Sequence, residues 1–388
     1  MAQKSLRPLL PLLLLAILLA LLPPAPARAA PGLAFAPALD AALAAARAEA
    51  RAQGALLFVE VPGLGVYSGA SGVADVATGA PLAPGARVRV ASVTKPFVAV
   101  VALQLVQEGW LLLDHSVEHW LPGLVPGGER ILVRHLLAHT SGLPDYLSDG
   151  IVARARREPE RVWRPEELVA EALRRPRLFA PGAAGRWAYS NTNYILLGLI
   201  IERVTGNSLD HELRQRVIEP LGLHRTALAP PSADPGDLAH GYVGSTDYTA
   251  LNMSVAWAAG GLTSTVDDLG RFAQALVWGA LLKPELMGPL LTFVDTGGVW
   301  SPDLAYSLGL MRRTVPGAGL PAAARLAIGH TGALGGYRTA MWHFPASGVT
   351  IVAAFTRYEA DPNRLVARAL ETLAAHGVLQ YETAGRAS

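Results

Sequence analysis

The chain has 388 residues, no cysteine, 51% hydrophobic and 16% charged residues. It is long enough to bury a large core and too sparsely charged for a solvated tail protein, and it has neither disulfides nor thiolate chemistry. A formal charge of +2 hints at an anionic partner until the N-terminus is read.

Lys4 and Arg7 precede an apolar run over 9–22, Pro23, Pro24 and Pro26 break it, and Ala27-Arg28-Ala29 offers a small-x-small cleavage site. This is the layout of a secretory signal peptide over residues 1–29. The run falls short of the ~20 residues that span a bilayer, so membrane attachment is expected only through an uncleaved leader. The expected location is secreted or periplasmic. Cleavage removes Lys4, Arg7 and Arg28 and no acid, which turns the formal charge to −1 and removes the case for an anionic partner.

Beyond the leader, residues 37–53 read as an Ala-rich helix. The β-prone runs 56–61 and 66–72 are split by the turn Pro62-Gly63, and 87–90 alternates like a strand end. From 92 to 109 the apolar spacing becomes helical, through Phe97, Val100, Val101, Leu103, Leu105 and Val106. Residues 110–300 are mostly helices joined by Pro- and Gly-bearing loops, among them the apolar helix 194–204. Strand-like runs return at 306–310, 326–330, 337–344 and 349–356, followed by an amphipathic helix over 363–376. Close spacing favours antiparallel pairing, since a parallel pair needs a long crossover. The expected fold is α+β: an antiparallel sheet built from both chain ends (30–85 plus 303–388), flanked by terminal helices. An all-helical lobe over 86–302 is inserted, and the two lobes form one domain.

Ser92-Val93-Thr94-Lys95 puts a hydroxyl and an amine three residues apart at the predicted helix start, where they share one face. Pro96 in the first turn, where a missing N–H costs little, sets that start near Ser92. The positive field of the helix N-terminus favours an oxyanion at the serine. A lysine whose pKa is lowered by burial can help deprotonate it. The bland alternative is an N-cap serine and a solvated lysine. Tyr189-Ser190-Asn191 stands just before the apolar helix 194–204; a Tyr near a Lys can shuttle a proton and an Asn can orient a substrate amide. Singly, they read as a core tyrosine and a helix cap. His330-Thr331-Gly332 ends a predicted strand, where a donor and a glycine that admits close backbone approach suit an edge strand that binds substrate. The alternative there is a satisfied surface histidine.

In this order and spacing the three triplets resemble the active-site elements of the serine penicillin-recognising enzymes, closest to secreted D-Ala-D-Ala carboxypeptidases and their class C β-lactamase and esterase relatives. The likeness extends through Leu137-Ala-His-Thr-Ser-Gly-Leu143, Pro220-Leu-Gly-Leu223 and Ala259-Gly-Gly-Leu-Thr-Ser-Thr265. The family fold it implies is the two-lobed one above, with the site in the cleft. It also implies roles. Ser92 is the acylated nucleophile and Lys95 takes or relays its proton. Tyr189 is general base and acid, its phenolate favoured by Lys95, with His330 a further candidate. Asn191 holds the substrate amide. His330 and Thr331 lie by the substrate carboxylate with Gly332 beside them, and the backbone N–H groups of Ser92 and Ala333 form the oxyanion hole. Class C β-lactamases usually carry Lys-Thr-Gly in the third triplet. A neutral histidine there holds a carboxylate less firmly, which tilts the expectation toward a peptidase or esterase. Arg312, Arg313 and Arg325 are candidates for gripping that carboxylate.

Other signals are set aside. His135 and His139 stand at i, i+4 but lack the glutamate of His-Glu-x-x-His, and read as structural. No Gly-x-Ser-x-Gly elbow or Walker loop occurs, and the tryptophans do not interleave with basic clusters, so no nucleic-acid partner is expected. Trp300 and Trp342 could line a cleft, with core packing the preferred reading. The sequence therefore reads as a monomeric serine acyl-enzyme hydrolase without metal or cofactor. Its expected substrate is a small peptide, a peptidoglycan stem or a β-lactam. D-Ala-D-Ala carboxypeptidase is first, β-lactamase or esterase second, and a non-catalytic penicillin-binding sensor is the alternative of another class.

Overall fold

A computed structural model describes residues 33–229, 237–317 and 319–379; the expected leader over 1–29 lies outside the described residues. In chain order the elements that frame the site begin with helix α1 (Ala36–Glu49), strands β1 (Gly54–Val61) and β2 (Gly65–Gly72), and helices α2 (Thr94–Gln107), α3 (Asn191–Thr205) and α4 (Val266–Val277). Strands β3 (Val294–Asp295), β4 (Ala305–Tyr306), β5 (Met311–Thr314), β6 (Leu326–Leu334), β7 (Tyr337–Phe344) and β8 (Val349–Phe355) follow, and helix α5 (Pro362–Ala375) closes the chain. The strands form one antiparallel sheet in the order β2-β1-β8-β7-β6-β5-β4-β3. Strands from the two chain ends meet inside it, with Leu57 opposite Ala353.

Side chains alternate across the strands, and that period of two makes the layers. Leu57, Val59, Trp342 and Ala353 face α1 and α5, among the buried Leu39, Leu43, Leu370 and Leu373. Leu56, Phe58, Met341 and Val352 face the other way, against α4 and the helical region. Gly270 on α4 sits so near the Phe58 ring that a Cβ there would stand 2.2 Å from it. Each fully buried Leu or Phe contributes roughly 1.5–3 kcal/mol, so a sheet covered on both faces supplies stability that disulfides cannot. The helical region packs around α3, which is buried along most of its length and ends at Gly206 (φ 75°), a left-handed cap.

Two expectations shift. The boundary of the helical lobe at 302 fails, because α4 packs on the sheet and β3 extends it; a short helix or strand reads alike wherever its apolar side is buried. The run 306–310 is not one strand. It breaks after Tyr306, turns through Gly309 (φ 94°), where Ser307 N donates to Leu310 O at 2.8 Å and Gly309 N to Ser307 O at 2.9 Å, and resumes as β5; a Cβ at 309 would stand 2.4 Å from Ala99, so the turn needs a glycine there. Among the described residues no helix is long and apolar enough to cross a membrane.

Candidate active site

Ser92 lies in a 3-10 turn, Ala91–Val93, that leads directly into α2. The residue before it, Ala91, has φ 49°, a left-handed conformation that costs a non-glycine residue about 1 kcal/mol or more. The turn is held from outside: Val90 N donates to Leu262 O at 3.0 Å and Leu262 N donates to Thr94 Oγ1 at 3.1 Å. One helical turn places Lys95 beside Ser92, its Nζ donating to Ser92 Oγ at 3.0 Å, to Asn191 Oδ1 at 2.7 Å and to Ala259 O at 2.7 Å. Lys95 is wholly buried. Burial lowers its pKa to about 7, against the upward pull of the Asp145 carboxylate.

Tyr189 and Asn191 arrive at the start of α3, on the far side of Lys95. The ammonium lies 4.8 Å from the Tyr189 ring centre, and the Tyr189 hydroxyl hydrogen-bonds Ser92. The expected phenolate is not favoured. Burial outweighs the Ser92 bond and pushes the Tyr189 hydroxyl well above the ordinary tyrosine value, with Asp145 adding to the rise. Asn191 is pinned by Asp145, donating from Nδ2 to Oδ2 at 2.9 Å and from its backbone N to Oδ1 at 3.2 Å.

The third triplet divides. Thr331, Gly332 and Ala333 line the same cavity of about 560 Å³ as Ser92, Tyr189 and Asn191. β5 pairs with β6 only as far as Gly329, so the last part of β6 is a free edge facing Ser92, although the strand is interior to the sheet. Gly332 admits that approach: a Cβ there would lie 2.1 Å from Val90 O and 3.1 Å from Ser92 N. His330 does not line that cavity. It is fully buried, its Nε2 3.0 Å from Tyr306 Oη and its Nδ1 2.6 Å from Thr331 O. Burial, with the Lys95 charge adding to it, takes its pKa down to about 3, so it is a neutral ring packed 6.5 Å between centres from Tyr189 and offers no charge to a substrate carboxylate. Of the three arginines only Arg313 lines the cavity, with a buried Nε that has no hydrogen-bond partner among the described residues. Arg312 stacks on Phe293 and Arg325 donates to Val315 O and Leu320 O.

One group escaped sequence reasoning, and two that were weighed there gain a definite place. Asp145 carries no motif of its own, and only its place after the Leu137–Leu143 stretch could have marked it. His139 emerges as a template for the tyrosine: its carbonyl accepts from Ala188 N at 3.2 Å and its Nδ1 from Ser190 N at 3.2 Å. Its ring lies 4.3 Å from that of Tyr189. Trp300, read as core, is 64% exposed and lines the cavity, whereas Trp342 is fully buried.

Comparison with known proteins places this geometry. The Beta-lactamase family matches residues 39–376. Esterase EstB of Burkholderia gladioli is 37% identical over 212 residues, 51% of this chain and 52% of its own length. A D-aminopeptidase of Brucella anthropi is 31% identical over 311 residues, 78% of this chain and 56% of its own. The chain spans about half the length of the curated relatives it matches. Among solved structures, a D-stereospecific amidohydrolase from Streptomyces sp. superposes with a TM-score of 0.75 at 32% identity, over 85% of this chain and 97% of that one. D-amino acid amidase from Ochrobactrum anthropi SV3 gives 0.77 at 26% identity, over 88% and 99%. With the match running from α1 to the end of α5 around a cavity-lining serine paired with a buried lysine, the chain belongs to the Beta-lactamase family of serine hydrolases, together with penicillin-binding protein and D-aminopeptidase relatives.

Proposed function

We propose that the protein is an exported serine hydrolase that forms an acyl-enzyme on Ser92 and acts on D-configured amino-acid amides and short D-peptides, D-Ala-D-Ala ends included. The observation that carries this is the wholly buried Lys95, 3.0 Å from Ser92 Oγ with a pKa lowered to about 7. Near neutrality a substantial fraction of Lys95 is a free amine. That amine takes the Ser92 proton as Oγ attacks the carbonyl carbon, and the C=O electrons move to oxygen. The oxyanion faces the backbone N–H groups of Ser92 and Ala333, donors of a kind that typically contribute about 3–4 kcal/mol. Collapse of the adduct breaks the C–N bond, and Tyr189, held as a phenol, delivers a proton to the leaving nitrogen while Lys95 restores its own. Water then repeats the sequence on the ester. Asn191 holds the substrate amide, and Arg313, alone of the candidate arginines on the cavity wall, receives a terminal carboxylate.

The D-configuration is supported by the D-aminopeptidase and D-stereospecific amidohydrolase relatives. Similarity to Esterase EstB favours ester hydrolysis by the same residues as a second reading. Export rests on the sequence pattern of the leader. The test is turnover of D- and L-alanine amide, a D-Ala-D-Ala peptide, a chromogenic cephalosporin and a p-nitrophenyl ester, beside covalent labelling by a fluorescent penicillin. Turnover of D-amide or D-peptide over the L-form, lost in Ser92→Ala, is expected. Turnover of the ester alone overturns the D-amide reading, and labelling without turnover of any substrate identifies a sensor.

A further inference from the structure

Trp300 is the one tryptophan of the cavity, and three observations on it are unusual. It is 64% exposed. Its φ is 64°, a left-handed conformation that is a genuine outlier for a bulky residue. Its ring rests on Tyr189, 4.8 Å between centres, and edge-on against Trp187 at 6.1 Å. Trp187 is itself anchored, its Nε1 donating to Ala138 O at 2.9 Å. The loop is also tied at both ends. Gly297 N donates to Asp295 Oδ1 at 2.9 Å, Thr296 Oγ1 to Leu304 O at 2.7 Å, and Thr314 N to Asp303 Oδ2 at 2.5 Å. Strain of this kind persists only where the surroundings over-determine it, and here they aim an indole into the cavity with one side still open. Leu304 and Met311, both buried, line the cavity on the same side.

We propose that Trp300, with Leu304 and Met311, forms a subsite for an apolar, arylalkyl group that the substrate residue next to the scissile bond carries on its α-carbon or on its amino nitrogen. The inference rests on the acyl-enzyme reading above and adds the class of that group to it. An indole face with an open side gains most from an aromatic group, through offset or edge contacts and buried apolar area, and gains little from a methyl group.

The test uses the full chain carrying Trp300→Ala or Trp300→Phe and reads a ratio. The first pair of probes is D-phenylalanine amide and D-alanine amide, compared by kcat/KM. The second pair is benzylpenicillin and 6-aminopenicillanic acid, compared by acylation rate, which share the β-lactam and differ in the arylacyl arm. Trp300→Ala is expected to lower the large-to-small ratio about tenfold in at least one pair, and Trp300→Phe to keep it within about threefold of the unaltered protein. An equal fall for both members of each pair, or no fall, overturns the subsite and leaves Trp300 a cover for Tyr189. The penicillin pair needs only acylation, so failure of the D-amide reading appears as an unaltered protein inert to both amides, distinct from an unchanged ratio.

Discussion

On one wall of the cavity Lys95 is wholly buried, each of its three donors has an acceptor, and the nearby Asn191 is held twice by Asp145. Elsewhere on the cavity wall Trp300 is largely exposed in a left-handed conformation, its ring leaning on Tyr189, and the buried Nε of Arg313 has no partner among the described residues. The first set is dry and over-determined, as proton transfer within one short hydrogen bond requires. The second presents unfilled binding capacity, as recognition requires. Chemistry and selectivity are thus assigned to different residues of one cavity, and changes in the two sets are expected to be told apart by their kinetics.

The largest effect is expected in the dry set. Lys95→Ala should lower penicillin acylation about a thousandfold, within the range for removing a positioned acid or base; an intact-mass time course reads it, and a loss under tenfold would return the base role to Tyr189. Next comes the seam between the two sets. Gly332→Ala drives a methyl group to 2.1 Å from Val90 O and displaces Ser92, so acylation should fall about a hundredfold. Gly270→Ala, an overpacking of similar severity against Phe58, should lower Tm while acylation per folded molecule stays within about twofold. Equal acylation losses in both would make the glycine effect one of general stability.

In the recognition set, Arg313→Ala should raise KM for peptides with a free D-terminal carboxylate about tenfold to a hundredfold and change D-amide KM less than about threefold. An unchanged peptide KM would remove Arg313 from substrate binding. The smallest effect concerns pH. Asp145 favours the charged form of Lys95, so Asp145→Asn should move the Lys95 midpoint down from about 7. The rising limb of the acylation–pH profile then shifts to lower pH; an upward shift would mean that desolvation, not the carboxylate, dominates the change.

Much of the fold was legible because burial repeats with a period the chain displays. The runs 337–344 and 349–356 alternate with turn residues between them, and they became β7 and β8 almost to the residue. Ser92 and Lys95 were legible for a similar reason, since a separation of three on a helix is a local distance. Tyr189 and Asn191 could be named from resemblance, but their meeting with Lys95 is a contact across some 96 residues that no local pattern encodes. The Trp300 misreading has the same root, because a tryptophan on a strained loop and one in a core are the same letter.

The sequence by itself determined the strands, the helices, the serine–lysine pair and, by kinship, the family, because each rests on short-range spacing or on shared order along the chain. Tertiary structure alone decided the states of the groups. It buried Lys95 and set its pKa, kept Tyr189 a phenol, and held His330 neutral beside that tyrosine. It also chose Arg313 among three arginines and drew Asp145, His139 and Trp300 into the site. Protonation and exposure depend on desolvation and on neighbours distant in the chain, and these exist only once the sheet and the helical region close on one another.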